Sequence, residues 1–208
     1  MARVRFENVE LRDGRKLLYK DLSFELADGE MGAVYGPSRT GKSSILLMAS
    51  GHLPPGAGVV SINGKKPNRK KAGLGPIHDL TPLFDTLTVE EHLVFQGRLY
   101  GVRNARARAK ELISMYELEP VCNYRVKDLG HIEQFRTGLA SLLVHHPDLV
   151  LIDEPERGLT DAEWERAHAD LVQLQEAGHT ILLTTVLSQV AERCQVVVEL
   201  PSGEVRRG

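Results

Sequence analysis

The feature that most constrains the fold is a glycine-rich segment between a short apolar run and a predicted helix. Residues 36–43, Gly-Pro-Ser-Arg-Thr-Gly-Lys-Ser, match the pattern GxxxxGK[ST]. The apolar run at residues 31–35 is typical of a buried strand, and the helix is predicted to begin at Lys42. A strand, a loop and a helix in this order place the loop at the carboxyl edge of an α/β sheet, where such sheets bind ligands.

The residue types in this loop predict phosphate binding. Successive backbone N–H groups of such a loop and of the following helix N-terminus point inward and can cradle phosphate oxygens. Lys42 supplies a cation for β- and γ-phosphates, and the Ser43 hydroxyl is a ligand for Mg²⁺. The candidate nucleotide-binding residues are Gly36, Pro37, Ser38, Arg39, Thr40, Gly41, Lys42, Ser43 and Ser44.

A second motif supplies two carboxylates. Residues 149–152 are a continuous apolar run, typical of a strand buried on both faces, and Asp153 and Glu154 follow it directly. Because this places both side chains at the carboxyl edge of the same sheet, we expect them near the glycine-rich loop. Asp153 is then predicted to hold Mg²⁺ with Ser43, directly or through water. Glu154 is predicted to be the catalytic residue that orients or deprotonates the attacking water.

The remaining patterns predict an α/β fold in one domain, residues 1–208. Residues 4–11 and 17–26 alternate apolar and polar side chains around Asp13-Gly14, which favours an antiparallel hairpin, and residues 59–62 read as another strand. The last third alternates strands with a helix and predicts a parallel sheet; its segments are residues 149–152, 162–176, 180–184 and 196–200. The final residues 203–208 are expected to be an irregular end.

The middle of the chain predicts a helical insertion at about residues 88–146. Thr88 and Glu91 have the spacing of a capping box, and a second helix at residues 104–118 would bury Leu112, Met115 and Tyr116. We therefore predict a P-loop NTPase core with a mixed or parallel sheet, an N-terminal antiparallel β subdomain and this inserted helical subdomain, which would carry partner contacts.

Charge and composition exclude several classes of function. The formal net charge of −2 gives no electrostatic argument for nucleic acid as a partner. The two cysteines are far apart and the histidines have no metal-binding spacing, so a zinc-type site is not expected. Since no segment has 18 consecutive apolar residues, we expect any membrane role to come through a partner.

The two motifs, their separation and the order of the segments between them resemble the nucleotide-binding domain of ABC transporters over almost the whole chain. The resemblance includes residues 83–93, and Glu154-Pro155 followed by Gly158-Leu159. Residues 87–93, with Leu99-Tyr100-Gly101 after them, look most like the exporter branch. The resemblance implies ATP and Mg²⁺ as cofactors and a separate transmembrane permease as partner. It also implies a cytoplasmic location, peripheral at the inner face of the membrane through that partner.

Several positions depart from the family pattern. Where the family has an adenine-stacking ring, this chain has Leu11, Arg12 and Asp13, and Tyr19 is the alternative stacking group. The family's glutamine aligns with Asp79 or His78, its loop aspartate with Thr160 beside Asp161, and its switch histidine with Val186. Arg39 stands where glycine is usual. The signature Leu-Ser-Gly-Gly-Gln aligns with Leu129-Gly130-His131-Ile132-Glu133.

These departures decide the expected assembly and rate. In this family ATP is sandwiched between the glycine-rich loop of one subunit and the signature of another, so this chain offers one sound half-site and one poor one. A dimer is implied, and a heteromeric pair with an intact subunit is favoured over a homodimer. The leading hypothesis is a slow ATPase that drives a permease. The alternative is a catalytically impaired nucleotide-binding subunit with a regulatory or structural role.

Overall fold

The two sheets of the computed structural model, which describes residues 3–75 and 83–208, confirm the predicted α/β class. The strands are β1 Val4–Asp13, β2 Lys16–Leu26, β3 Met31–Tyr35, β4 Ala57–Ile62, β5 Ala72–Leu74, β6 Leu149–Asp153, β7 Thr180–Thr185, β8 Val196–Glu199 and β9 Val205–Arg207. The smaller sheet is antiparallel with the order β2-β1-β4, and the larger has the order β5-β6-β7-β3-β8-β9. Within the larger sheet only the β8–β9 pair is antiparallel among the pairs in the described ranges.

The helices are α1 Lys42–Ala49, α2 Val89–Leu99, α3 Ala105–Met115, α4 His131–Leu143, α5 Asp161–Glu176 and α6 Ser188–Ala191. Short 3₁₀ turns cover Glu119–Val121 and Val126–Asp128. The predicted capping box at the start of α2 is present, since Glu91 N donates to the Thr88 hydroxyl and Glu91 accepts from Thr88 N. The assignment of residues 88–146 to an inserted subdomain of a single domain stays a prediction.

Helix α1 is fixed between the two sheets. Its buried Ile45 and Leu46 pack in one apolar cluster with Phe6 of β1, Val34 of β3 and Leu182 of β7. The hairpin of β1 and β2 presents alternate residues to this cluster, as its sequence alternation predicts. Because α1 follows the glycine-rich loop directly, this burial fixes the direction in which the loop opens.

A second apolar cluster covers the opposite face of the larger sheet. Leu112 of α3, Leu139 of α4 and Leu171 of α5 are all buried there, together with Val150 and Leu183 of β6 and β7. The helices of the middle of the chain are thus packed against the strands that carry the second motif.

Two local predictions are wrong. Met115 is 54% exposed, because α3 ends at this residue and Tyr116 turns inward instead, at 4% exposed. Residues 203–208 are not an irregular end, since Val205–Arg207 forms β9 and pairs with β8 after the turn at Ser202-Gly203. In the described part of the chain, no helix is both long enough and apolar enough to cross a membrane.

Candidate phosphate and metal site

The glycine-rich loop leaves the sheet at its centre. Strand β3 lies between β7 and β8, and Gly36 N donates to the carbonyl of Thr185 at 3.3 Å just beyond the pairing. Gly41, with φ 91°, is the N-cap of α1. A Cβ atom at Gly41 would lie 2.9 Å from Leu11 Cδ2 and 3.0 Å from Tyr19 Cε1, so both its conformation and its surroundings require glycine.

Arg39 occupies a left-handed position in this loop, with φ 64°. That conformation suits glycine and strains a residue with a Cβ atom, which gives a physical reason for the glycine usual at this position. The loop is closed next to it by the Thr40 hydroxyl, which donates to the Pro37 carbonyl at 2.8 Å.

Lys42 is held against the loop. Its side chain is 4% exposed, and Nζ donates to the Pro37 carbonyl at 3.1 Å. The same Nζ lies 3.7 Å from Glu154 Oε1, so the cation of the first motif is next to the carboxylate of the second. A buried ammonium with an unfilled donor capacity at the mouth of an N–H-lined loop attracts an anion.

Ser43 and Asp153 meet as predicted for a magnesium site. Ser43 Oγ lies 3.0 Å from both carboxylate oxygens of Asp153, and the Thr184 hydroxyl donates to Asp153 Oδ1 at 2.5 Å. Mg²⁺ prefers oxygen ligands and is usually held by one or two carboxylates together with substrate phosphates. A hydroxyl and a carboxylate beside a phosphate loop fit this ion.

Glu154 lies one residue beyond the end of β6. Its backbone N–H donates to the carbonyl of Thr184 at 3.1 Å, and its φ of 44° turns the carboxylate out of the strand direction. The carboxylate lies between Lys42 and Arg157, whose Nη1 is 3.9 Å from Oε2. It also lines a cavity of about 200 Å³ that reaches across to His131 on α4. The side chain is therefore held near the phosphate loop while one side faces open space.

The first turn of α4 carries a negative charge of its own. Gly130 is the N-cap, and a Cβ atom there would lie 2.5 Å from Glu133 Oε2. The Glu133 carboxylate thus lies over the N-terminus of the helix, at the position that the sequence comparison aligned with the signature. Thr160 is also engaged locally, because its hydroxyl accepts from Glu163 N as the N-cap of α5.

The other positions that depart from the family pattern offer few side-chain contacts for a nucleotide. Val186 follows β7 directly and is 38% exposed, without a polar side-chain atom. Tyr19 is 4% exposed and packs beneath Gly41, so it is not available to stack on a base. Arg12 is exposed and pairs with Glu10 at 2.6 Å. The predictions for Asp79 and His78 lie outside the described residues.

Glu156 lies two residues beyond Glu154 and was not singled out from the sequence. The Thr185 hydroxyl donates to its Oε1 at 2.5 Å, and its Oε2 is buried without a partner. Burial raises the pKa of Glu156; hydrogen bonds from Thr185 and from the backbone of Val186 oppose this, and the charge of Glu154 adds to it. The available signal was the third acid in the run Asp-Glu-Pro-Glu at residues 153–156.

Comparisons with known proteins match most of this chain. The family model described as "ABC transporter" matches residues 19–157. The Nod factor export ATP-binding protein I of Burkholderia lata is 35% identical over 204 residues, covering 93% of this chain and 66% of its own length. The ABC transporter ATP-binding protein NatA of Bacillus subtilis is 30% identical, covering 89% of this chain and 79% of its own length.

A solved structure shares the fold. The ATP-binding cassette MJ0796, described as dimeric, in a post-hydrolysis state and bound to ADP and Pi, superposes with a TM-score of 0.82 at 26% identity. The match covers 98% of this chain and 97% of that one. The chain spans about two thirds of the length of several curated relatives, including the linearmycin resistance ATP-binding protein LnrL of Bacillus subtilis at 66%.

Proposed function

Because this chain belongs to the ABC transporter family, we propose that it is an ATP-binding subunit that hydrolyses Mg-ATP slowly and couples this to a separate transmembrane permease. The observation that carries the proposal is the meeting of the two motifs. Ser43 lies 3.0 Å from Asp153, and Lys42 lies 3.7 Å from Glu154. These contacts join a phosphate cation, two metal ligands and a candidate base at one edge of the sheet.

The proposed chemistry follows from these positions. The loop amides of residues 36–44 and Lys42 bind the β- and γ-phosphates, and Ser43 and Asp153 hold Mg²⁺. A Mg²⁺ ion held by Ser43 and Asp153 would supply positive charge against the negative charge of the phosphates. Glu154 orients the attacking water and accepts its proton. Its backbone bond to Thr184 fixes the carboxylate relative to Asp153.

The proposed rate is low for the chain alone. Transition-state stabilisation on the γ-phosphate needs donors from a facing signature and from the switch position. Here Glu133 covers the N-terminus of α4 with negative charge, and Val186 has no side-chain donor. Losing one such donor typically costs about 2.7 to 4 kcal/mol, or roughly a hundred- to a thousandfold in rate.

A partner subunit with an intact signature would supply the missing signature donors. The dimeric state of the related cassette supports a dimer for this chain, and the poor signature favours a heteromeric pair with an intact subunit. The name of one relative refers to Nod factor export, which supports export as the direction of transport. Work with a permease would place the chain at the inner face of the membrane, on the cytoplasmic side.

The second candidate is a nucleotide-binding subunit that does not turn ATP over. Glu133 over the helix N-terminus and Val186 at the switch position favour it, since both remove donors from the γ-phosphate. Glu154 favours hydrolysis, because a site that only binds has no need of a carboxylate beside the phosphate lysine.

The test is calorimetric binding of Mg-ATP to the wild type, Lys42→Ala and Lys66→Ala. Lys66 is an exposed lysine outside the site and serves as the matched control. Removing the charged donor of Lys42 should weaken binding by about 1.5 to 3 kcal/mol, or roughly ten- to a hundredfold in Kd. Equal affinities of all three proteins would reject the site. Co-purification from native membranes then tests for the permease and the second subunit.

A further inference from the structure

We propose that Glu156 is a positioning residue that holds the end of β7 at Thr185, and the switch segment that follows it at Val186, against the loop that carries Glu154. The proposal rests on the proposed function for its effect on ATP turnover, but the contact itself can be tested without nucleotide. It assigns to this carboxyl group the task of fixing the switch segment, where the chain has valine in place of a histidine.

The contact joins two loops that leave neighbouring strands. Glu156 lies three residues beyond the end of β6, and Thr185 is the last residue of β7. The Thr185 hydroxyl donates to Glu156 Oε1. Since β6 and β7 are paired in parallel, the contact extends their connection beyond the last strand hydrogen bonds.

Thr185 makes two further hydrogen bonds, one to the switch segment and one to the phosphate loop. Its hydroxyl accepts from Leu187 N at 3.0 Å, which fixes the turn that contains Val186. Its carbonyl accepts from Gly36 N at 3.3 Å, the first residue of the phosphate loop. One threonine therefore links the loop of Glu154 and Glu156, the switch segment and the phosphate loop.

The second carboxylate oxygen of Glu156 lies in an unfavourable environment. Glu156 Oε2 is buried and has no hydrogen-bond partner, although buried polar atoms in folded proteins are usually paired. Glu154 is close enough that its negative charge raises the pKa of Glu156 further. Burying a carboxylate with one unpaired oxygen next to another negative charge costs stability. Locally unfavourable arrangements of this kind are often found at functional sites.

The first experiment measures amide hydrogen exchange of residues 186–187 in the nucleotide-free protein. Glu156→Ala should speed this exchange about tenfold or more, because the hold on Thr185 is lost. Glu156→Gln should not, since its amide oxygen still accepts from Thr185. Glu192→Ala is the matched control, an exposed glutamate close to the same segment. Unchanged exchange in Glu156→Ala overturns the proposal.

A double-mutant cycle tests the contact from its other side and remains informative if Glu156→Ala folds poorly. Thr185→Val keeps the side-chain shape and the backbone carbonyl but removes the hydroxyl. On this background, replacing Glu156 by alanine should add little to the exchange rate. Additive effects of the two changes mean that the residues act independently, which contradicts the proposal.

The second experiment separates positioning from binding. Glu156→Ala should lower kcat at least tenfold and leave the Kd for Mg-ATP within twofold, because no phosphate or metal ligand is touched. Glu156→Gln should restore most of the turnover. Faster exchange in Glu156→Ala with an unchanged kcat overturns the role in hydrolysis. If the wild type shows no turnover, the proposed ATPase activity is wrong. The exchange measurements still test the contact between Glu156 and Thr185.

Discussion

Replacing Arg136 by methionine should destabilise the protein strongly, because it would leave Asp170 as an unpaired buried charge. Arg136 lies on α4 and Asp170 on α5, with side chains 17% and 10% exposed. Arg136 donates two hydrogen bonds to Asp170, from Nε to Oδ2 at 2.9 Å and from Nη2 to Oδ1 at 3.3 Å. Breaking a buried pair by removing one partner typically costs about 3 to 5 kcal/mol. For a chain of this size that lowers Tm by roughly 6 to 20 °C.

The loss should depend on pH with a definite sign. Burial raises the pKa of Asp170, and the hydrogen bond and charge of Arg136 oppose this rise. Without Arg136 the pKa rises further, so the folded state carries a penalty for the ionised carboxylate. A raised folded pKa means that this penalty is full above that pKa and disappears as the pH falls toward the ordinary pKa of an aspartate. The deficit of Arg136→Met should therefore shrink on acidification.

Urea unfolding followed by circular dichroism at pH 8 and at about pH 5 measures both effects. Arg193→Met is the matched control, because Arg193 and Glu165 form a more exposed pair, with side chains 35% and 60% exposed. Exposed pairs are worth about 0.2 to 1 kcal/mol. The reasoning is refuted if Arg136→Met unfolds within 1 kcal/mol of this control, or if its deficit grows as the pH is lowered.

The remaining predictions concern the nucleotide site. Glu154→Gln should abolish steady-state ATP turnover while Mg-ATP binding is kept, so that ATP is trapped; undiminished phosphate release would move the chemistry to another residue. Because Tyr19 is buried beneath Gly41 and Arg12 is paired with Glu10, these described residues offer adenine no stacking ring, a contact worth about 1 to 3 kcal/mol. Competition binding should then show little preference for ATP over GTP, and a strong preference for ATP would mean that another group holds the base. In urea unfolding, Arg39→Gly should be slightly more stable than the wild type or equally stable. Relief of the left-handed strain, about 1 to 2 kcal/mol, offsets the backbone entropy cost of glycine, about 0.5 to 1 kcal/mol. A clear loss of stability would show that the Arg39 side chain makes a favourable contact.

The sequence predicted those parts of the site that depend on strand edges. An apolar run followed by acids determines where Asp153 and Glu154 lie, because parallel strands end at one edge of the sheet. Their meeting with Ser43 and Lys42 needs only the correct strand neighbours, and β6, β7 and β3 are adjacent in that order.

What the sequence could not reveal depends on contacts between distant residues. The link between Glu156 and Thr185 spans 29 positions and has no local pattern. Strand β9 was not predicted because Val205–Arg207 lacks apolar alternation, and the backbone hydrogen bonds that pair it with β8 have no signature in the sequence. Met115 was assigned to the buried side because helical spacing does not indicate where a helix ends, and α3 ends at that residue.

The central position of β3 decides how the nucleotide site can be lost. Since the phosphate loop continues from a strand paired on both sides, by β7 and β8, it cannot open by fraying from the edge of the sheet. Opening it requires breaking the part of the sheet that normally unfolds only with the whole molecule. Bound nucleotide should then protect the entire fold from proteases, by about 2.7 kcal/mol at a ligand concentration of 100 times Kd. In a cell, the lifetime of this subunit would then depend on nucleotide supply.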